Sequence, residues 1–299
     1  MELRQLKYFI KAAELQNFTN AAEALFITQS TLSQQIKQLE DELGLPLFNR
    51  IAKRVRLTDA GSTFLPYAIK TVKDAENGRD LLRDQMGLKT GSLTIGLTYG
   101  LAELLAKAIA DFSAQYPAIK LTINFGTTQE LLQEMELGKL DMMLSFYEQK
   151  ENYMLITDHL FSSRLSLIVK SSDPIVKRKS VSLKELITLP LILPSGGYSI
   201  RNYFDKILRD QDLVLRPNME VNDIHTLLQL VRFGRWVTVL MSSTVVNHPK
   251  LKAVRLTGAG MIRQATITWP KDAYRKKAAS LLAESLKQHA FAYDDHAHK

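Results

Sequence analysis

The sequence predicts an α/β protein of two unlike parts: an all-α N-terminal helix-turn-helix carrying a short β wing, followed by a larger α/β domain of two lobes. Three observations lead there. The chain has 299 residues, more than one typical domain. Apolar residues recur at helical spacing up to Gly44 and then alternate through a short basic stretch. After about residue 90, short apolar strand-like runs alternate with amphipathic helical ones.

Composition narrows the class. With 45% hydrophobic and 23% charged residues the chain is ordinary globular material, too apolar for disorder. It has no cysteine, which excludes disulfides, thiolate catalysis and thiol redox sensing. Met1 to Lys7 lacks the apolar core of a signal peptide, and no run approaches about 18 apolar residues, so a cytoplasmic location without a membrane span is expected. Net charge is +8, but residues 1 to 90 hold a surplus of only 2. Any DNA binding there must use locally clustered charge.

Leu6, Phe9, Ile10 and Ala13 mark a first amphipathic helix ending near Gln16. Phe18 and Thr19 suggest a staple and an N-cap opening a second helix, Asn20 to Leu25. Thr28 then caps a third, whose Leu32, Ile36, Leu39 and Leu43 form an apolar stripe stopped by Gly44. Its other face carries Gln29, Ser30, Ser33, Gln34 and Lys37, with Thr31 beside them. Amides and hydroxyls near a helix N-terminus suit base edges in the major groove, although a solvated surface helix has the same polarity. Leu45 to Thr58 alternates like two strands around a basic tip, and Arg50, Lys53, Arg54 and Arg56 place four positive charges in seven residues. That tip suits phosphates or a narrow minor groove. Thr58 next caps a long helix reaching about Met86. In it Leu65, Ala68, Val72, Ala75 and Leu82, interrupted by Arg79, form a candidate dimerisation seam. The alternative is a helix lying on its own domain.

A hinge at Lys89 to Ser92 leads to a βαβαβ pattern: strand Leu93 to Leu97, helix Leu101 to Gln115, strand Leu121 to Phe125, helix Gln129 to Leu137 and strand Leu140 to Phe146. Ligands of such parallel sheets sit at the strand C-termini. The loops Thr98-Tyr99-Gly100 and Gly126-Thr127-Thr128 lie there, each opening a helix whose N-terminus can hold an anion. Simple capping, by Thr128 for instance, is the competing explanation. A crossover near Phe161 to Ser163 enters a second lobe with strands Leu165 to Val169, Leu191 to Leu193, Met219 to Val221 and Trp236 to Met241, and a helix from Asp223 to Arg232. Its loop Pro194 to Ser199 adds Ser195, Gly196 and Gly197 to the candidate ligand contacts. Strand Ala265 to Trp269 and a helix from about Tyr274 to His289 return to the first lobe.

Phe18 to Glu40 closely resembles the helix-turn-helix of LysR-type regulators, and Leu43 to Phe48 with Leu57 to Gly61 resembles that family's wing and linker-helix start. The resemblance runs in order along the whole chain. It implies a winged helix-turn-helix over 1–58, a linker (dimerisation) helix over 59–88 and an effector-binding domain over 89–299. Lobe I would hold about 91–161 and 266–299, and lobe II about 162–265, a periplasmic-binding-protein-like arrangement with the ligand in the cleft. The partners implied are double-stranded DNA with an interrupted inverted repeat, a small effector, further copies in a homodimer or homotetramer, and RNA polymerase; the helix N-termini at the candidate loops suit an anion as that effector. No cofactor and no metal are expected. Three positions depart from the family pattern: Ser30 replaces a common proline, Gln34 a common arginine and Trp236 a common glycine. An enzyme and a solute-binding protein are the rivals. The sequence has no P-loop, GxGxxG, GxSxG or HExxH motif, and its six histidines are scattered. A tail cluster of His289, His296 and His298 with Asp294 and Asp295 is weighed as a metal site and set below a disordered polar end.

Overall fold

The computed structural model describes residues 1–51, 54–85, 90–146, 154–271 and 273–294. The chain divides into two compact units, Met1–Gly87 and Leu88–Lys299.

In the first unit, helices α1 (Leu3–Leu15), α2 (Phe18–Ala24) and α3 (Gln29–Leu43) precede a hairpin of β1 (Phe48–Ile51) and β2 (Arg54–Leu57), and α4 (Asp59–Gln85) follows. Each helix buries one stripe: Leu6, Phe9 and Ala12 from α1, Phe18, Ala21 and Ala22 from α2, and Leu32, Ile36 and Leu39 from α3. Phe9 lies 5.4 Å from Phe48 and 5.6 Å from Phe64, so the wing root and α4 close over α1. Full burial of one such side chain stabilises by about 1.5–3 kcal/mol, and these stripes carry the domain. Asn17, not Thr19, caps α2, accepting from the N–H groups of Thr19 and Asn20, so the helix begins two residues earlier than the sequence suggests. Leu43 is 36% exposed and lies outside the buried stripe.

The hairpin is antiparallel, pairing Phe48 with Leu57 and Asn49 with Arg56. Its root is tied to α3 by the Glu40 carboxylate, which accepts from Leu47 and Phe48 N–H at 2.7 and 3.1 Å. Thr58 links the wing to α4: its hydroxyl donates to Pro46 O at 2.7 Å and accepts from Gly61 N–H at 2.9 Å. A Cβ at Gly61 would fall 2.1 Å from Leu47 O, so this crossing needs glycine. The residues of the expected seam on α4 differ in their surroundings within the first unit. Ala68 is in the unit's own core, and Leu65 and Val72 pack against it. Ala75 and Leu82 are exposed, Leu82 at 60%. The start of α4 thus packs half-buried on its own domain, and its far half is more exposed.

The second unit starts with β3 (Gly91–Leu97), a 3-10 turn at Tyr99–Leu101, α5 (Ala102–Gln115), β4 (Ile119–Phe125), α6 (Thr128–Glu136) and β5 (Met142–Ser145). Next come β6 (Leu155–Lys170), β7 (Val181–Ser182), α7 (Leu183–Leu186), β8 (Ile192–Pro194), α8 (Ser199–Arg209), β9 (Met219–Val221) and α9 (Ile224–Phe233). The chain closes with β10 (Thr238–Met241), β11 (Leu251–Thr257), β12 (Ile262–Pro270) and α10 (Lys277–Ala290). The strand before Met241 and the last helix therefore begin later than expected, at Thr238 and Lys277, and β7, α7 and β11 were not anticipated.

Strands β4, β3 and β5 run parallel, as the βαβαβ pattern requires. The main sheet has the order β4-β3-β5-β12-β6-β11-β7, with β10 also paired to β6. Where the sequence suggested a crossover near Phe161 to Ser163, β6 is one continuous strand. Its first part pairs with β12, and its last part with β10 and β11. Thus β6 and β12 belong to both lobes. Where they cross, Ser163 Oγ lies 3.0 Å from Ser242 Oγ and accepts from Ser243 N–H at 3.1 Å.

Candidate nucleic-acid interface and effector cleft

Capping fixes the start of α3. Thr28 Oγ1 accepts from Thr31 N–H at 3.2 Å and lies within 2.9 Å of the Ser30 and Thr31 hydroxyls, so these three groups largely serve the helix. Gln29, Ser30, Thr31, Gln34 and Lys37 are exposed and Ser33 is half-buried. Gln29 Nε2 donates to Ser33 Oγ at 3.2 Å, an exposed bond that can open toward another partner. Because Leu32, Ile36 and Leu39 are buried, this polar face is held on a fixed helix. In the wing, Arg56 is exposed; Arg50 and Arg54 lie on β1 and β2, and Lys53 falls outside the described residues. The first unit therefore presents one polar helix face, followed by a hairpin on which Arg56 is exposed.

In the second unit, a cleft enclosing about 450 Å³, its open mouth included, lies at the C-terminal ends of β3 and β4 and against α8 and β10. Thr98, Tyr99, Gly100 and Thr127 line it, as the sequence suggested. Thr128, Ser195, Gly196 and Gly197 are not among its lining residues. Thr127, not Thr128, is the N-cap of α6, and Thr128 Oγ1 is buried without a hydrogen-bond partner among the described residues. Ser195 instead donates its N–H to Val221 O at 3.0 Å, holding the loop to β9.

Much of the wall was missed: Phe146, Tyr198, Ser199, Ile200, Ile224, Leu240, Met241 and Thr244 also line the cleft. Phe146 follows the C-terminus of β5, where the strand rule alone would have placed it. Tyr99 stacks on Phe125 at 5.0 Å and reaches within 5.8 Å of Tyr198, joining rings from both lobes. Burial, helped by Tyr99, Asp223 and Glu130 nearby, raises the Tyr198 phenol above its ordinary value, so it stays neutral and donates to Asn222 O. Arg201 is a second omission. It bonds both Asp205 oxygens at 2.9 and 3.0 Å, Pro194 O at 3.0 Å and Glu220 at 2.9 Å, fastening the loop that carries Tyr198.

Electrostatics differ among the helix ends. At α6, Glu130 accepts from Thr127 N–H and Oγ–H, each at 2.8 Å, and these bonds hold its carboxyl below the ordinary range. That N-terminus already holds an anion of the chain's own. At α9 the N-cap is itself a carboxylate: Asp223 accepts from Thr226 N–H at 2.7 Å. At α8, Tyr198 provides no side-chain cap, and Ser199 and Ile200 face the cleft. Among the described residues, the cleft lining has no lysine or arginine.

Comparison with known proteins decides the family. Residues 87–291 match the family model of the LysR substrate binding domain, and residues 3–62 that of the bacterial regulatory helix-turn-helix protein, lysR family. The chain belongs to the LysR family. It is a LysR-type DNA-binding transcription regulator with a substrate-binding domain. It is similar to the HTH-type transcriptional activator CmpR of Synechocystis sp., 27% identical over 297 residues, spanning 98% of this chain and 96% of that one. YwqM of Bacillus subtilis, named an uncharacterized HTH-type transcriptional regulator, is 34% identical over 248 residues, or 82% and 84% of the two chains. Among solved structures, a cysteine variant of full-length OxyR from Pseudomonas aeruginosa matches with a TM-score of 0.76 and 26% identity over 96% of this chain and 95% of that chain. The relatives are regulators, not enzymes. No helix among the described residues is long and apolar enough to cross a membrane. No group of three acidic or histidine side chains among the described residues is placed to hold a metal; of the tail cluster, Asp295, His296 and His298 fall outside the described residues, and His289 Nε2 lies 2.7 Å from Asp111.

Proposed function

We propose that this LysR-type regulator works in the cytoplasm as a homodimer or homotetramer on an interrupted inverted repeat of double-stranded DNA, under the control of a small anionic effector and in contact with RNA polymerase. Gln29, Ser33, Gln34 and Lys37 read bases, with Thr28, Ser30 and Thr31 at the helix end. Arg50, Lys53, Arg54 and Arg56 neutralise phosphates. The observation that carries this is the polar face of α3, exposed, braced by a buried stripe and followed by the hairpin on which Arg56 is exposed. Self-association uses the far half of α4, where Leu81 and Leu82 are 38% and 60% exposed.

The effector sits in the cleft with its acidic group toward the α8 N-terminus, since α6 is occupied by Glu130 and α8 is uncapped by a side chain. Its apolar body packs against Tyr99, Phe146, Ile200 and Met241. Thr128, Ser195, Gly196 and Gly197 belong to this proposal only as flanking groups, brought closer if the lobes close. Thermal melting of the chain with small carboxylates, each paired with its neutral amide, tests the chemistry. A carboxylate should raise the melting temperature and its amide should not. Equal shifts from both would refute the anion, and DNA binding without preference between a selected duplex and a random one would refute the reading of bases by α3.

A further inference from the structure

We propose that Phe26 makes an apolar contact with a thymine 5-methyl group in the major groove, adding a base-reading residue that lies outside α3 itself. The inference rests on the proposed seating of α3 in that groove. Phe26 is 96% exposed, the most exposed large apolar side chain among the described residues. It stands in the turn between α2 and α3 at φ +56°, the left-handed region that favours glycine and asparagine. Its N–H donates to Glu23 O at 3.0 Å and the next N–H, of Ile27, to Ala22 O at 3.0 Å, which completes the helix-ending turn.

Leu25 and Ile27, on either side, pack against the core. The turn is therefore secured by its neighbours, and both the exposure and the backbone conformation of Phe26 count against it in the isolated domain. Such a residue gains only from a contact made with another molecule. Its place says which. Phe26 is two residues before the N-cap Thr28, at the same end of α3 as Gln29 and Ser30. A recognition helix presents that end to the bases. A phenyl ring offers phosphate no donor, whereas the thymine methyl is the apolar feature of the major-groove edge, and phenylalanine is one of the side chains that meets it.

The test uses the full chain, a duplex it selects from a randomised pool, and copies of that duplex with single half-site thymines replaced by deoxyuridine. At one position in each half-site the wild type should lose roughly five- to tenfold in affinity with the methyl. Phe26→Asn suits the turn and should melt at the same or a higher temperature. It should bind the thymine duplex about as weakly as the wild type binds the deoxyuridine one, with no further loss on substitution. Wild-type affinity for Phe26→Asn, or an equal deoxyuridine penalty in both chains, would overturn the inference. Gln29→Ala, measured in parallel, separates the two levels. If it weakens binding while Phe26→Asn does not, only the Phe26 contact fails; if neither substitution matters, α3 is not in the groove and the proposed function fails with it.

Discussion

Helices α3 and α6 both begin on a capping threonine, Thr28 and Thr127, and both carry polar residues in the next turn. In α6 the fold consumes them: Thr127 and Glu130 satisfy one another, and the helix end holds its own carboxylate. In α3 the cap engages Thr28, Ser30 and Thr31, while Gln29, Gln34 and Lys37 remain on an exposed face. Helix α4 repeats the contrast within one element, with Val72 packed on the domain core and Leu82 in solvent. A residue type at a helical position becomes a site only when the fold leaves it over.

The largest effects should come from groups the fold has consumed. Gly61→Ala drives a Cβ into the Leu47 carbonyl, and Val72→Asp places a charge against the core of the first unit. Each should cost about 3 kcal/mol or more, read by denaturant melting of that unit. Leu82→Asp should leave the melt unchanged and instead lower the self-association constant in sedimentation. A normal melt for Val72→Asp would break the contrast.

Replacing a base reader should change discrimination, not folding. Gln29→Ala should narrow the gap between selected and random duplexes by about 1–3 kcal/mol, measured by competition binding. Arg56→Ala should weaken both duplexes alike and reduce the salt slope by about one for each phosphate that the arginine neutralises.

Smaller again is the cap of α6. Thr127→Val should cost about 1 kcal/mol of stability in the second unit by thermal melting. Its pH signature is specific. Because the Glu130 carboxyl is held below its ordinary value of 4.5, its stabilisation is present above that value and fades as pH falls through the lower folded-state one. Melting Glu130→Gln across acidic pH should show that part of the dependence gone, and an unchanged profile would say that the cap is not formed.

The difference also explains what could be read from the residues alone. Stripes such as Leu32, Ile36 and Leu39, the stop at Gly44 and the parallel βαβαβ order follow from local periodicity, which the chain states directly. The cleft does not. Ser199, Leu240 and Thr244 join Tyr99 only because β6 and β12 carry the chain between lobes, and that pairing is long-range. Thr128 and Ser195 were sound by type and neighbourhood, yet which hydroxyl faces the cleft depends on which one caps the helix. The start of α4 shows the same dependence: Leu65 and Val72 suit a partner helix and their own domain equally well, and both pack half-buried against the first unit's core, where Gly61 lets the chain cross at Leu47.

Competition binding of the full chain to a duplex it has selected, against a random duplex of equal length, tests most directly the claim that α3 reads DNA. The wild type should prefer its selected duplex by a factor of about 10³ or more. Gln29→Ala combined with Gln34→Ala should cut that preference by at least tenfold, while the melting temperature and the affinity for random DNA stay as they were. An undiminished preference in the double variant would contradict the account, because the exposed face of α3 would then carry no sequence information.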